Sequence, residues 1–320
     1  MILHCRNVND ALKEGFEWLR VTGVIESSRN GPVMVAPGPV ITEYANPCER
    51  VLFNPRRDAN PVFHLMEALW MIAGSDDVSF LLPFNSRFEE YAESDGAVWG
   101  AYGRRWRSAF GIEQIRHTAQ VLKRSPNSRQ AVMQMWDCRL DLGQVKKDIP
   151  CNTHIYFDCR GGELNMTVCC RSNDILWGAY GANAVHMSVL QEVMASMIGA
   201  PVGVYRQFSN NFHAYLDNET TQHFLEYGAR NHDQYPEVLR VPLIGADENA
   251  DWFIEDCEAL VAGSNEHHTK FFWQVAIPLY NAYLSRTSSK TPIDKNNFSE
   301  EQRNIDWIVA FLQWCERRKK

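Results

Sequence analysis

With 320 residues, 45% of them apolar, the chain can bury a sizeable core, and 19 glycines with 14 prolines are too few for a disordered polymer. A formal net charge of −7 argues against a nucleic-acid binder, which needs basic surface to neutralise phosphates. No stretch approaches the roughly 20 apolar residues that span a bilayer, the N-terminus lacks a signal peptide's apolar run, and nine cysteines without scaffold spacing point to a reducing cytoplasm.

In chain order, Asn9 or Asp10 is expected to cap a first helix running through Phe16, Trp18 and Leu19 to Gly23. Ser27 to Pro32 reads as a polar loop. Pro61 fits the first turn of a helix with apolar positions Leu65, Leu69, Met71 and Ile72, ending near Gly74. Arg104, Arg105 and Arg107 form a basic cluster that is either an anion site or, more simply, a solvated face. Ile112 to Lys123 reads as an amphipathic helix. Four strand-like runs follow at Ala131–Trp136, Thr153–Asp158, Leu164–Cys170 and Val204–Phe212, with a buried helix through Val189, Leu190, Val193 and Met197 before the last, stopped by Gly199. Helical patterns dominate from Thr220 onward. Phe272 and Trp273 sit on one, Trp307, Ile308, Phe311 and Trp314 on the last, and aromatics at that spacing read as core. Without repeats or a clear linker, the pattern predicts one α+β domain over residues 1–320, a mixed or largely antiparallel sheet covered by helices. Paired ligands such as Cys-x-x-Cys do not occur, so no metal is expected.

The chemistry centres on Cys151, in the turn Asp148-Ile149-Pro150-Cys151-Asn152. A cysteine attacks as thiolate, and its pKa falls beside cations, for which Arg171, Arg29 and Arg129 are candidates. A buried, inert thiol is the ordinary alternative. Twenty residues on, the chain reads Arg171-Ser172-Asn173-Asp174.

A Pro-Cys turn followed at that distance by Arg-Ser-x-Asp resembles the thymidylate synthase family and its pyrimidine-modifying relatives. Gly178 and Asn183 are similar to the family's glycine and base-reading asparagine, and His213-x-Tyr215 to the pair that contacts the ribose hydroxyl. Upstream, Glu67 resembles the helix-borne active-site glutamate, Tyr102-Gly103-Arg104-Arg105-Trp106-Arg107 a Tyr-Gly-x-x-Trp-Arg segment, and Ser128-Arg129 the arm that reaches a dimer partner's phosphate. The match runs intermittently from about residue 15 to 217, leaving a divergent helical region over about 218–320. The resemblance implies a sheet-to-sheet homodimer without metal, and methylenetetrahydrofolate as one-carbon donor. It implies that Cys151 adds to C6 of a pyrimidine nucleotide and that Glu67 moves protons through water. Asp174 joins them as a catalytic residue and, with Phe88 and Tyr91, faces the folate. Arg29, Arg171 and Ser172 would hold the phosphate with the partner's Arg129. Gln130 stands where a second arginine is common, so one cationic contact is missing. Asn183, both donor and acceptor, fits uracil, whereas a carboxylate would serve cytosine better. The interval from Gly178 to Asn183 is one residue longer than usual, and a helix-capping role is the alternative for this asparagine.

Four departures matter. Asn152 stands for a histidine, Phe88 and Tyr91 for two tryptophans, Asn211 for an aspartate, and a basic terminus for a short apolar tail. Hydride transfer needs water excluded, and these changes weaken that exclusion. The resemblance is therefore closest to phage-type deoxyuridylate hydroxymethylases, converting dUMP to 5-hydroxymethyl-dUMP. Thymidylate synthase, dCMP hydroxymethylase and an inactive nucleotide-binding homologue are the alternatives.

Overall fold

The computed structural model describes residues 1–319. Strand β1 (Ile2–Cys5) leads into helix α1 (Val8–Thr22). Its cap is Asn7, not Asn9 or Asp10: the Asn7 side chain accepts from the N–H groups of both. Asn9 instead lies inside, its amide bonded to the backbone of Val51 and Phe53. The expected loop after Gly23 is a hairpin, in which β2 (Val24–Ser28) pairs antiparallel with β3 (Gly31–Val35) and Arg29-Asn30 forms the tip. Every residue of β2 is exposed, so no apolar alternation marks it. Next comes β4 (Val40–Tyr44).

Helix α2 (Pro61–Ile72) starts at Pro61, capped by Asn60, whose side chain accepts from Val62 and Phe63. It is buried almost all round, the mark of a core helix. Helix α3 (Tyr102–Arg107) crosses it so closely that a Cβ on Gly103 would stand 2.0 Å from the Met71 carbonyl oxygen. Only glycine allows that approach. The arginines of α3 are not a free anion patch. Arg105 is buried against Asp141 at 2.7 Å, Arg104 pairs with Asp76, and Arg107 pairs with Glu113 and Glu258.

Beyond α4 (Gln114–Arg124) come β5 (Val132–Gln134), β6 (Asn152–Asp158), β7 (Leu164–Cys170) and the two-residue β8 (Asn173–Asp174). A π-helical segment, Ile175–Ala182, feeds α5 (Asn183–Ile198), which Gly199 ends in left-handed conformation at φ 72°. The run expected as one strand is two, β9 (Val202–Ser209) and β10 (Phe212–Tyr215), and they belong to different sheets. Helices α6 (Glu219–Tyr227), α7 (Ala250–Val261), α8 (Ile277–Ser288) and α9 (Asp306–Glu316) complete the chain. Phe272, Trp307, Ile308, Phe311 and Trp314 are core as expected, but Trp273 is 54% exposed. Arg317 and Arg318 pair with Asp58.

The architecture is α+β, with two mixed, mostly antiparallel sheets rather than one. The six-stranded sheet runs β1-β4-β9-β7-β6-β5 and the four-stranded sheet β2-β3-β10-β8. On β9, Gly203, Tyr205, Gln207 and Ser209 are buried on the face under α5, while Val202, Val204, Arg206 and Phe208 remain partly exposed on the other. Among the described residues, no helix is long and apolar enough to cross a membrane.

Candidate active site

The two sheets meet where β7 gives way to β8. Asn152 at the start of β6 lies opposite Cys170 at the end of β7, and the Arg171 N–H donates to the Cys151 carbonyl at 2.8 Å. Three residues on, β8 runs parallel to β10, with Asp174 opposite His213. This junction brings together Cys151, Arg171, Ser172, Asp174 and His213 from separate parts of the chain.

The cysteine turn is held from both sides. The Tyr102 hydroxyl accepts the N–H groups of Cys151 and Asn152, each at 3.0 Å. Arg171 donates Nε–H to the Pro150 carbonyl at 2.8 Å and an Nη2–H to Ile149 at 3.0 Å, its guanidinium lying 5.5 Å from the Trp136 ring centre. The arginine expected as a phosphate donor thus also staples the turn. The anticipated lowering of the thiol pKa is not found. Burial pushes the Cys151 thiol up, Arg171 alone among the three arginines draws it down, and Asp148 pushes it up again. Asp148 is itself pushed up to about 6 by burial, against the pull of Arg105 and Arg171 and with a contribution from Glu67.

Glu67 projects from α2 toward the same neighbourhood. Burial raises the Tyr91 hydroxyl, with Asp148 the next cause and Glu67 a smaller one, so these groups feel one another. Phe88 packs on Tyr91 at 5.5 Å between ring centres, and edge-on to Phe63 and Trp70. From α5, His186 brings its buried Nε2 to 3.2 Å from a Glu67 oxygen, too far out of line for a hydrogen bond. The adjacent His64 is held well below the usual imidazole range by burial, then by Arg57 and His186.

Asn183 is buried one helical turn before His186. Its Oδ1 accepts from Asn152 Nδ2 at 2.8 Å, and its Nδ2 donates to Asn173 Oδ1 at 3.1 Å. It makes no capping bond, so that alternative fails. The extra residue before it is absorbed by the π-helical turn, in which the Asn183 N–H reaches back five residues to the Gly178 carbonyl.

Asp174 caps that turn, Oδ1 accepting from the Trp177 N–H at 2.6 Å, while its buried Oδ2 has no hydrogen-bond partner. Burial raises its carboxyl above the usual range. Beside it, exposed Trp177 is flanked by the buried Arg57, 4.4 Å from the ring centre and bonded to the Leu176 carbonyl at 2.8 Å. His213 and Tyr215 stand edge-to-face at 5.1 Å on β10. Strand β10 pairs with β3, whose hairpin carries exposed Arg29 at its tip. Arg129 is exposed in the turn before β5 and meets none of the other candidates within this chain.

Tyr102, Asp148, Asn173, His186, Arg57 and Trp177 also lie in this region and are not among the site residues expected from the sequence. Tyr102 stood in a quoted motif and Asp148 in the cysteine turn, while His186 is at i+3 from Asn183. For Arg57 and Trp177, brought together from 120 positions apart, no local signal exists. Among the described residues, no cluster of three metal-ligating side chains occurs, and all nine cysteines are free.

The Cys151 turn, the buried Asn183 amide and Glu67 on α2 share one α+β frame, and comparison with known families places that frame. The family model described as thymidylate synthase matches residues 57–260, and the chain belongs to that family. Within it, a deoxyuridylate hydroxymethyltransferase of Pseudomonas phage M6 is 39% identical over 99% of this chain and 94% of its own length. The enzyme of that name from Bacillus phage SP01 is 35% identical over 70% of this chain and 58% of its own. A putative thymidylate synthase of Methanothermobacter marburgensis is 36% identical over 41% of this chain and 60% of its own.

Proposed function

We propose that the protein transfers a one-carbon unit to C5 of dUMP, forming 5-hydroxymethyl-dUMP. The observation that carries this is the pairing of the Cys151 turn with the buried Asn183 amide, in a chain alike over nearly its full length to a phage deoxyuridylate hydroxymethyltransferase. C5 of a uracil is a weak nucleophile. Addition of Cys151 sulfur to C6 moves electron density to C5 and O4, splitting one hard step into easier ones. Asn183 keeps one N–H and one lone pair beyond its protein bonds, enough to donate to O4 and accept from N3–H. Because burial raises the thiol, the resting group is protonated, and attack requires that proton to leave.

The co-substrate 5,10-methylenetetrahydrofolate would supply the one-carbon unit as a methylene group on C5 and leave as tetrahydrofolate with loss of the C5 proton; water adding to that methylene would supply the hydroxyl as the Cys151 sulfur departs from C6. Asp174 Oδ2, a buried acceptor without a partner, suits the N–H groups of a pterin, and Phe88 and Tyr91 form an aromatic wall toward it. Glu67, with His186 at its shoulder, holds and moves protons near C5. Arg171, Ser172 and Arg29 take the phosphate from this subunit, and His213 with Tyr215 the deoxyribose. The partly exposed, apolar-bearing face of the six-stranded sheet supports a sheet-to-sheet homodimer, with Arg129 reaching the partner's phosphate.

The test is identification of the product from dUMP and methylenetetrahydrofolate, with absorbance followed for dihydrofolate. The expected result is a 5-hydroxymethyl product without dihydrofolate. A 5-methyl product with stoichiometric dihydrofolate would make the enzyme a thymidylate synthase. Absence of tritium release from 5-tritiated dUMP and dCMP alike would leave a nucleotide-binding protein.

A further inference from the structure

Three asparagines and a serine, from four elements, form one buried line. Asn152 on β6 donates Nδ2–H to Asn183 Oδ1 at 2.8 Å, Asn183 Nδ2 donates to Asn173 Oδ1 at 3.1 Å, and Asn173 Nδ2 donates to Ser209 Oγ at 2.9 Å. All four residues are at most 7% exposed. Gly178 lies against the middle of the line: a Cβ there would stand 2.6 Å from Asn173 Oδ1 and 3.6 Å from Asn183 Nδ2. The π-helical segment therefore both delivers Asn183 and leaves room for the bond that orients it.

A primary amide does not by itself distinguish uracil from cytosine. In one orientation it accepts from N3–H and donates to O4 of uracil; turned half over, it donates to N3 and accepts from the N4 amino group of cytosine. The neighbours decide which orientation holds. Turning Asn183 alone would set its NH2 against the NH2 of Asn152 and its oxygen against that of Asn173. Two hydrogen bonds would become two repulsive contacts in a buried place, where unpaired polar groups are most costly. Reversing the whole line is open to Ser209, whose hydroxyl either donates or accepts. It would, however, leave the Asn152 NH2 without the acceptor it now has. In the observed direction the line ends instead on Asn152 Oδ1, a single buried oxygen without a partner, and unpaired carbonyl oxygens are tolerated better than unpaired N–H groups.

We infer that Asn152 and Asn173 are positioning residues that lock the Asn183 amide in its uracil-reading orientation, so that preference for uridylate over cytidylate resides in the line and not in Asn183 alone. This rests on the assignment of Asn183 as base reader.

The test compares dUMP with dCMP by two readouts on the full chain. One is kcat/KM from tritium release with methylenetetrahydrofolate, and the other is equilibrium binding by calorimetry, which needs no turnover. Asn173→Ala should lower the dUMP-to-dCMP ratio on the order of tenfold to a hundredfold, the scale set by unpaired buried polar groups. Asn173→Asp should keep the ratio near that of the wild type, because its carboxyl still accepts from Asn183 Nδ2 whether ionised or not. Asn152→Ala should lower the ratio as well, and it carries the test if Asn173→Ala does not fold. A merely structural role would weaken both nucleotides together and leave the ratio unmoved, which would overturn the inference. So would a wild type that binds the two nucleotides equally. A wild type that prefers dUMP in binding but turns over neither nucleotide would refute the proposed reaction while the binding ratios still judge the line.

Discussion

Tyr102→Phe removes one oxygen atom and should damage both stability and rate. In the wild type that oxygen accepts two backbone N–H groups, those of Cys151 and Asn152, at 3.0 Å each. A buried donor left without its acceptor costs about 1–3 kcal/mol. The Asn152 N–H belongs to a fully buried residue and takes the upper part of that range, while Cys151 is only partly buried and takes the lower. The sum is about 3 kcal/mol, before any relaxation of the turn. The ring itself stays packed beside Trp106, so no large cavity offsets or enlarges the figure. Loss of both anchors also frees the turn that aims the sulfur. Arg171 still holds the carbonyls of Ile149 and Pro150, but no longer against a fixed opposing point. Displacement of a reacting atom by about 1 Å costs on the order of a hundredfold in rate. The expected outcome is a lower urea midpoint at matched protein concentration and a kcat reduced about tenfold to a hundredfold. KM for dUMP should change less than kcat, because Asn183, Ser172 and Arg29, proposed to hold the base and phosphate, make no bond to Tyr102, and the Asn152 side chain keeps its own bond to Asn183. A midpoint unchanged within error, with kcat within twofold of the wild type, would refute the account of Tyr102 as the anchor of the nucleophile turn.

Cys151→Ala should abolish product formation while dUMP binding stays measurable by calorimetry; substantial residual turnover would remove Cys151 from the mechanism. Mixed Arg129→Ala and Cys151→Ala subunits should regain activity that neither variant has alone, since one site of the heterodimer recovers both groups. A fully active monomer would reject that arrangement. For Asp148→Asn the signs are explicit. The Asp148 charge raises the thiol, so its removal should move the rising limb of the pH–rate profile to lower pH. The carboxyl is also raised from 3.8 to about 6, so the wild type binds an extra proton when folded and loses stability as pH climbs through that window. Urea midpoints from pH 4 to 7 should fall for the wild type relative to the variant, and parallel curves would count against the burial argument.

Elements that face the core on one side were legible in the sequence. Leu164–Cys170 alternates buried and half-buried residues along its length, and its expected and observed ends coincide. Asn60-Pro61 and Gly199 marked their helix ends because cap and left-handed turn are local chemistry. What stayed hidden was non-local. β2 is wholly exposed and exists through its pairing with β3, not through an apolar pattern. Val204 to Phe212 reads as one strand on the extended preference of Val204, Tyr205, Phe208 and Phe212, yet Asn210-Asn211, a pair that favours turns, passes the chain from one sheet to the other. That crossing creates the junction where the candidate residues meet; the two asparagines signal a break in the strand, but nothing local signals the change of sheet.

The same distinction runs through the site. The residues expected at the nucleotide were found by kind and order, but their working state depends on neighbours that no motif contains. A basic surround was expected to lower the Cys151 pKa, and burial overrides it because two of the three arginines do not contribute. Asn152, read along the chain, stands where the family pattern has a histidine, and Asn173 is only the unspecified residue between Ser172 and Asp174. In space each sits at an opposite end of the Asn183 amide, one supplying its donor and the other its acceptor. Replacing either alone would leave a buried end of the Asn183 amide unpaired, so the two asparagines work as a pair. Twenty-one positions apart in the chain, they are made neighbours by the β6–β7 pairing and the step into β8. The orientation of the Asn183 amide is therefore set as much by what holds its oxygen and nitrogen as by its own identity, and it becomes readable only once the fold has supplied both partners.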